Sequence, residues 1–384
     1  MRRRLTAHLW TLLAGLVVCP PAAAQVERGE LRRALAEMPA LEPKAILQPL
    51  VVTSGQYQGA VRMGHEKGIH WYFANIALRE WVNEAPQIVK GHLDAYLRNL
   101  ERSDGARDIV FDLLDEGLTN KKAPDSHDSY ASSMVHLAVL YVQKTGDHGW
   151  WDRQSTLIHT VWRSNVRSQV KNAGDVGSAS LVKSHQEGSK NPETGLPHIL
   201  DALLMDNCEV YAALAAMTAY LKERGDSRAS LYQSDLTRLA RGIGALWDSG
   251  TQAWRFSDLA VKPTLAWYPD LLAQVFPELF VGEAVRFDNK KQDRFAAAWH
   301  YLVKSDPNWF DAPDDKFPHL IVACLAARSQ RDVRAALWSV DRWLKANDPM
   351  KNPEKLSNVA DAAWAWSTIQ ALKKVAGAEP RQTE

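Results

Sequence analysis

Apolar residues recur along most of the chain at the three- and four-residue spacing of an amphipathic α-helix. This pattern predicts about twelve helices from residue 28 onward, and no segment shows the sustained apolar–polar alternation that marks a strand. The clear predicted helices are residues 69–82, 87–100, 129–145, 202–224, 232–247, 264–279, 294–303, 317–327, 333–346 and 359–375, and the weaker ones are residues 28–38 and 150–162. Residues 170–197 contain Gly, Ser and Pro and are predicted to form a long loop.

The predicted helices are of two kinds. Some are apolar on nearly every face, as in residues 208–217, whereas others have one polar face, as in residues 227–247. Alternation of these two kinds indicates an inner ring of buried helices surrounded by an outer ring. The connections vary too much in length for a superhelix of fixed repeats. No Pro- or Ser-rich linker divides the chain, so we expect one all-α domain over residues 25–384, an (α/α)6 barrel of six helical hairpins.

The first 24 residues have the composition of a secretory signal peptide. A basic start (residues 2–4) precedes an apolar stretch (residues 5–18), and Ala22 and Ala24 supply the small residues of a cleavage site. Cleavage would make Gln25 the mature N-terminus and leave 43 basic against 45 acidic residues, a net charge of −2. We expect a periplasmic or secreted protein that has no membrane attachment after signal removal and lacks the basic excess of a nucleic-acid-binding protein.

Tryptophan is the unusual component, with 15 residues in the chain of 384. Its flat ring suits the CH faces of sugars, but the same side chain also fills the core of a large helical protein. Cys208 and Cys324 remain after signal removal and lie in apolar stretches, which indicates two buried free thiols. Their spacing leaves a single disulfide open.

The first candidate motif is residues 124–131 (PDSHDSYA), at the start of a predicted helix. Asp125 and Asp128 lie three positions apart, with His127 and Tyr130 beside them. Acids and serines at a helix start also cap free N–H groups and interact well with the helix dipole. Capping is therefore the alternative to a functional site here.

The second motif is residues 204–211 (LMDNCEVY), where Asp206, Asn207 and Glu209 interrupt an otherwise apolar run. Asp206 and Glu209 share one helix face. Polar groups in such a helix are costly unless they are paired or face a wet cleft. The alternative is a buried hydrogen-bond network that ties the hairpins together.

Two further motifs combine an acid with aromatic rings. Trp267, Tyr268 and Asp270 lie together in AWYPD, which suits a sugar subsite because the rings can stack on the sugar and the acid can bond its hydroxyl groups. A simple helix start at this proline is the alternative. Asp361 lies in an Ala-rich helix with Trp364 on the same face. The candidate substrate-binding residues are Asp125, His127, Tyr130, Asn207, Glu209, Trp267, Tyr268, Asp270, Asp361 and Trp364.

The sequence predicts no metal site and no cofactor. His65 and His70, in a weaker cluster with Glu66, are five residues apart, a poor spacing for a metal pair on a helix. The HExxH, paired CxxC and EF-hand patterns are absent, as are the glycine loops of nucleotide-binding proteins and the GxSxG of serine hydrolases.

Taken in order, residues 124–147 (PDSHDSYASSMVHLAVLYVQKTGD), LMDNCEVYAAL and AWYPD resemble the six-hairpin glycosidase superfamily, over roughly residues 60–375. Its members are (α/α)6 barrels that bind glycans in a cleft at one end, so the resemblance implies a glycoside hydrolase. His127-Asp128 resembles the H-D motif of unsaturated glucuronyl hydrolases, and residues 201–207 loosely resemble their later D-x-M-M-N motif. Ser129 and Tyr130 replace the glycines that follow the H-D motif, so the resemblance does not extend to the unsaturated uronide substrate.

Inverting glycoside hydrolysis needs two carboxyl groups about 6.5–9.5 Å apart, one to protonate the leaving oxygen and one to activate water. Different helices must supply them, and Asp128 and Asp206 meet that condition. We assign Asp206 as the general acid, because its apolar neighbours should raise its pKa, and Asp128 as the base or the water-positioning residue. The reverse order is open, and the substitute carboxylates are Asp125, Glu209, Asp270 and Asp361.

The leading prediction is thus a secreted glycoside hydrolase that cleaves an oligo- or polysaccharide by an inverting two-carboxylate mechanism. One alternative is a polysaccharide lyase on an (α/α) toroid, for which His127, Tyr130 and Asn207 are available but no arginine lies in the motifs. The other is a glycan-binding barrel without catalysis. The sequence leaves the sugar, the linkage and the oligomeric state open.

Overall fold

The computed structural model describes residues 26–64, 67–172, 179–260, 265–288, 291–311 and 318–377. The predicted signal peptide and the His65–Glu66 part of the weak histidine cluster lie outside these residues. The α-helices of the described residues are α1 (Arg28–Glu37), α2 (Pro43–Leu47), α3 (Trp71–Glu80), α4 (Pro86–Arg98), α5 (His127–Thr145), α6 (His148–Asn165), α7 (Leu204–Glu223), α8 (Arg228–Gly244), α9 (Glu283–Arg286), α10 (Arg294–Ser305), α11 (Leu320–Arg328), α12 (Val333–Asn347) and α13 (Val359–Val375).

Six segments form an inner ring. Helices α3, α5 and α7 pack side by side, α7 packs on a segment of two π-helical turns (Trp267–Leu271 and Pro277–Val281), and α11 packs on α13, which returns to α3. The ring closes where Arg331, just after α11, pairs with Glu278 of the π-helical segment at 3.0 Å. Helices α4, α6, α8, α12 and α1 pack behind this ring. The predicted all-α toroid is therefore confirmed.

Burial separates the two kinds of helix as the sequence pattern predicts. Helix α5 is buried on almost every face from His127 to Val142, whereas α12 buries only positions spaced three or four apart, such as Ala336, Val340 and Trp343. Helix α5 follows an N-cap at Ser126 and ends at Gly146, whose φ of 71° stops the helix as glycine readily does.

The inner helices run in the same direction, so their N-termini meet at one end of the ring. At the opposite end, Glu80 of α3 accepts hydrogen bonds from Arg328 of α11 (3.0 Å) and Ser367 of α13 (2.5 Å). The guanidinium of Arg79 lies over the rings of Phe280 (5.0 Å) and Trp364 (5.6 Å) and fills the space between opposite helices. These contacts join the C-terminal ends of α3 and α11 to the middle of α13 and form a floor.

Three short antiparallel hairpins in the described residues depart from a purely helical prediction. They connect helices rather than forming a shared sheet. Their strands are β1 (Glu101–Ser103) with β2 (Ala106–Ile109), β3 (Asp112–Leu113) with β4 (Lys121–Lys122), and β5 (Trp247–Asp248) with β6 (Ala253–Trp254).

The prediction of one continuous helix over residues 264–279 is wrong. Two π-helical turns replace it, with Pro269 in the first and Pro277 at the start of the second. Each proline lacks an N–H and clashes with the preceding helical turn, so a regular helix cannot pass through them.

Nine of the 15 tryptophans are buried in the core, and six of these are essentially fully buried: Trp71, Trp81, Trp150, Trp162, Trp254 and Trp309. Cys208 and Cys324 are both buried and unbonded. Within the described part of the chain, no helix combines the length and apolarity needed to cross a lipid bilayer.

Candidate active site

The N-terminal ends of the inner helices bring acids together from distant parts of the chain. Asp128 is the second residue of α5, Asp206 the third of α7 and Asp361 the third of α13. All three are buried, and Asp206 is the most exposed of them at 9%. Placement at helix N-termini favours their ionised forms through the helix dipole, whereas burial opposes it.

Ser126 bridges the first two acids. Its Oγ lies 2.5 Å from Oδ1 of Asp128 and 2.9 Å from Oδ2 of Asp206. A hydroxyl group has one hydrogen, so Ser126 donates to one carboxylate and accepts from the protonated form of the other. The geometry therefore requires a proton on the Asp128–Asp206 pair.

The electrostatics place that proton mainly on Asp128. Burial, together with the charge of Asp206, raises the pKa of Asp128 well above its ordinary value. Burial raises the pKa of Asp206 to about 6, and the hydrogen bond from Ser126 limits the rise by stabilising the ionised form. The pair titrates as a unit and keeps one proton at neutral pH.

The same contacts correct the predicted pairing of these two acids across a sugar ring. The Ser126 distances of 2.5 and 2.9 Å hold the two bridged carboxylate oxygens within about 5.4 Å of each other. Inversion needs about 6.5–9.5 Å with a sugar and a water between the carboxyl groups. Asp128 therefore stands behind Asp206 and shares its proton, rather than opposite it as a base.

Glu209 lies one helical turn below Asp206. Its Oε1 accepts a 2.8 Å hydrogen bond from the hydroxyl group of Tyr72 on α3. Burial, with the charge of Asp206, raises the pKa of Glu209 to about 8, so this acid is neutral at pH 7. Glu209 is thus a buried neutral partner of Asp206 rather than an exposed sugar ligand.

Tyr130 contacts an acid that the sequence interpretation missed. Its hydroxyl group donates to Oδ2 of Asp112 (2.5 Å), which also lies 3.2 Å from Nε2 of His70. Asp112 is fully buried, and burial raises its pKa to about 7. It lies on β3 in a polar connection without a helical pattern, so only its position before a buried leucine could have suggested a role.

The side chains of Asn207 and His127, predicted to bind substrate, instead contact the loop of residues 179–203. The amide of Asn207 is fully buried, accepts from the N–H of Val182 (2.8 Å) and donates to the carbonyls of Val182 and Leu203. Nδ1 of His127 accepts from the N–H of Gln186 (3.0 Å). This is the buried-network alternative that the sequence left open.

The aromatic motif supplies one exposed ring at the mouth of the site. Tyr268 is 60% exposed, and partial burial, together with the charges of Asp206, Asp125 and Glu209, raises its pKa to about 12. Asp125 is solvent-exposed beside the site and pairs with Lys122 at 2.7 Å. Tyr268 and Asp125 are therefore placed to meet a ligand at the same end as Asp206.

The neighbours of Tyr268 point away from the solvent. Trp267 is half-buried against the core, and Asp270 is fully buried. Trp364 is also buried and packs on Arg79 at the floor, which removes it from the mouth. The structure thus brings Tyr268 to the mouth and leaves Asp270 and Trp364 inside the core.

Asp361 lies across the ring from Asp206, because α13 and α7 are three places apart in a ring of six. With neighbouring helices about 8–10 Å apart, opposite axes are about 16–20 Å apart. Side chains reach about 5–6 Å from each axis, so side chains that face each other across the ring are about 4–10 Å apart. Burial raises the pKa of Asp361 to about 7, and its Oδ1 has no hydrogen-bond partner among the described residues.

Comparison with known proteins gives matches only at the level of structure. No family model matches this chain, and no curated protein sequence matches it. A glycosidase variant in complex with glucose has a TM-score of 0.56 at 10% identity, over 92% of this chain and 99% of that chain. A second glycosidase variant gives the same values.

A rhamnosidase from Klebsiella oxytoca with rhamnose bound has a TM-score of 0.52 at 12% identity, over 91% of this chain and 65% of the rhamnosidase. This chain thus spans just under two thirds of that protein. At such identities the likeness concerns the fold alone. The chain therefore shares its helical toroid with glycosidases.

Proposed function

We propose that this protein is a glycoside hydrolase of the six-hairpin type that cleaves an oligo- or polysaccharide with inversion. The carrying observation is the Asp128–Asp206 pair bridged by Ser126 at the N-terminal ends of α5 and α7, and Asp361 lies in the first turn of α13, three places further round the ring. The fold shared with glycosidases supports the same proposal. Asp206 keeps the general-acid role predicted from the sequence, and Asp361 replaces Asp128 as the base.

In the proposed reaction, the Asp128–Asp206 pair supplies one proton through Asp206 to the glycosidic oxygen as its bond to the anomeric carbon breaks. Ionised Asp361 removes a proton from a water molecule on the opposite face of the sugar, and the water oxygen bonds to the anomeric carbon. The products are a sugar of inverted anomeric configuration and the free leaving group. Exchange with solvent then returns a proton to the pair and removes one from Asp361.

We also propose that the protein acts outside the cytoplasm. The basic start, apolar stretch and small residues within residues 1–24 support an exported protein cleaved near Ala24-Gln25. A polysaccharide substrate suits this location, because such polymers do not cross the inner membrane intact.

The test of the proposed activity is a panel of oligo- and polysaccharides with the wild-type protein, read as new reducing ends. Asp206→Asn and Asp361→Asn should each lower kcat/KM by about 10²–10⁴-fold, since each removes one proton transfer. Asp152→Asn, at an exposed acid on α6 paired with Arg224, is the matched control and should keep full activity.

Two outcomes would replace the proposal with the alternatives. Release of an unsaturated uronide, seen by its absorbance, would indicate a lyase. Binding of a glycan without turnover in the wild-type protein would indicate a glycan-binding barrel. Full activity of Asp361→Asn would remove Asp361 from the mechanism.

A further inference from the structure

A groove on the outer wall of the toroid is separate from the acids of the candidate active site. Its volume is about 500 Å³, within the range of ligand sites in proteins. Its walls come from the outer helix α8, from Tyr211 of α7, from α9 with the following Phe287, and from Arg294 at the start of α10. None of the acids at the N-terminal ends of the inner helices lines it.

Helix α8 presents a row of polar side chains to this groove. Gln233, Thr237 and Arg241 follow one another at four-residue spacing, which places them on one face of the helix. At a rise of about 1.5 Å per residue, the row is about 12 Å long. A ligand that contacts the whole row is therefore elongated, and a single inorganic anion is too small to do so.

The charged side chains that line the groove are both arginines. Among the described residues, the lining contains Arg241 and Arg294 and no acid. Neither arginine forms an ion pair with another described residue, although Asp288 interacts with Arg294 electrostatically from outside the lining. The planar fork of an arginine matches a carboxylate or a similar oxyanion. The groove is thus suited to a ligand with anionic groups.

The guanidinium group of Arg294 is held in place by its neighbours. It lies over the rings of Trp247 (5.8 Å) and Trp254 (5.6 Å), and its Nη1 donates to the carbonyl of Val285 (3.2 Å). A Cβ atom added at Gly244 would lie 3.5 Å from the same nitrogen, so the end of α8 adjoins this group. A side chain that is already ordered loses little entropy when it binds an anion.

The groove also has two aromatic side chains. Phe287 is 51% exposed, and its backbone is fixed by a β-bridge to Asp293. Tyr211 is half-buried and reaches the groove from α7. Such rings pack on the CH faces of sugars, and the amide of Gln233 and the hydroxyl group of Thr237 can bond sugar hydroxyl groups. The lining thus matches the apolar face, the hydroxyl groups and the anionic group of an acidic sugar.

We propose that this groove binds an acidic sugar chain whose anionic groups are carboxylates or sulfates. The anionic groups pair with Arg241 and Arg294, and the sugar faces lie against Phe287 and Tyr211. This binding does not depend on the proposed hydrolysis, because the groove and the candidate active site share no acid. The groove would hold the protein on an acidic polysaccharide while the ring site stays free.

The test is isothermal titration calorimetry of the full chain with polygalacturonate and with dextran sulfate, and with dextran as the neutral polymer. At about 10 mM salt, where screening is weak, at least one acidic polymer should bind at least about tenfold more tightly than dextran. The tighter of the two identifies the anionic group. Arg241→Gln removes one fork and should weaken this binding by about tenfold. Phe287→Ala removes an exposed ring and should weaken it by about threefold.

The matched control is Arg334→Gln, at an exposed arginine of α12, which packs on α11 and α13. This variant should keep the wild-type affinity, and all three variants should keep the wild-type Tm. Equal losses in Arg241→Gln and Arg334→Gln would indicate diffuse attraction of charge and overturn the proposal. Unchanged affinity in Arg241→Gln, or no binding of either acidic polymer, would also overturn it.

Two further probes distinguish a sugar chain from other polyanions. Poly-glutamate and an oligothymidylate should each bind at least about tenfold more weakly than the preferred acidic polysaccharide, because neither offers the same hydroxyl groups to Gln233 and Thr237. Equal binding of either probe would replace the sugar chain by a peptide or a nucleic acid and overturn the proposal. The release of reducing ends is measured separately, so none of these results decides whether the ring site hydrolyses a glycan.

Discussion

Replacing Asp128 by asparagine tests whether Asp128 holds the proton that it shares with Asp206 or acts as the catalytic base. The amide has the shape of the carboxyl group, and its oxygen, in the place of Oδ1, can accept from both the hydroxyl group of Ser126 and the N–H of Ser129. Folding should therefore change little. The variant removes the shared proton, and Asp206 alone, with its pKa near 6, is ionised at pH 8.

The expected effect depends on the leaving group, because only poor leaving groups need a proton. At pH 8, kcat/KM for alkyl glycosides should fall by about 10²–10⁴-fold, the usual contribution of a general acid. Glycosyl fluorides need no such proton, so their hydrolysis should change by less than about threefold. The assay is steady-state kinetics on both substrates, with thermal unfolding as the check on folding.

An equal loss on both substrates would refute this reasoning and restore Asp128 as the base. Unchanged activity on both would show that Asp206 does not draw on the proton of Asp128. The contact of Ser126 with both carboxyl groups would then serve only to hold α5 against α7.

Three other outcomes follow from the same structure. With a pKa near 7, Asp361 ionises as the pH rises, so kcat/KM should increase through about pH 7; a pH–rate profile that falls through this range would contradict its role as base. Asn207→Ala removes three buried hydrogen bonds to Val182 and Leu203 and should lower the free energy of unfolding by about 2–3 kcal/mol. Urea unfolding measures this, and an unchanged midpoint would show that the amide does not anchor the loop. N-terminal mass spectrometry of the exported protein should find Gln25 first, and an intact Met1 on a cytosolic protein would exclude the signal peptide.

Local patterns were enough to predict most of the fold. Helix α13 occupies Val359–Val375, the range that the apolar spacing predicts, because inner and outer positions repeat within a few turns. The β1–β2 hairpin could also have been found, since Asp104-Gly105 is a typical turn pair and both residues have positive φ (49° and 85°). Pro269 and Pro277 argue against one continuous helix over residues 264–279. The prediction gave more weight to the apolar spacing than to these two prolines.

The site was less predictable because its chemistry depends on contacts between distant residues. The meeting of Asp128 and Asp206 follows from the convergence of helix starts in a toroid, but their direct sharing of a proton through Ser126 does not. Asp112 has little local signal beyond its position before a leucine, since its partners Tyr130 and His70 lie elsewhere in the sequence. Asn207 looked functional as a polar residue in an apolar helix, and only the folded loop shows its structural partners.

The most direct test of the central claim is the configuration of the first product. Proton NMR during early hydrolysis of a glycoside that the wild-type protein cleaves should show the anomer opposite to that of the substrate, before mutarotation mixes the two. This result would support direct attack of water activated by Asp361 on the face opposite Asp206. Initial release of the retained anomer would contradict the account, because it requires a covalent intermediate and a closer pair of carboxyl groups.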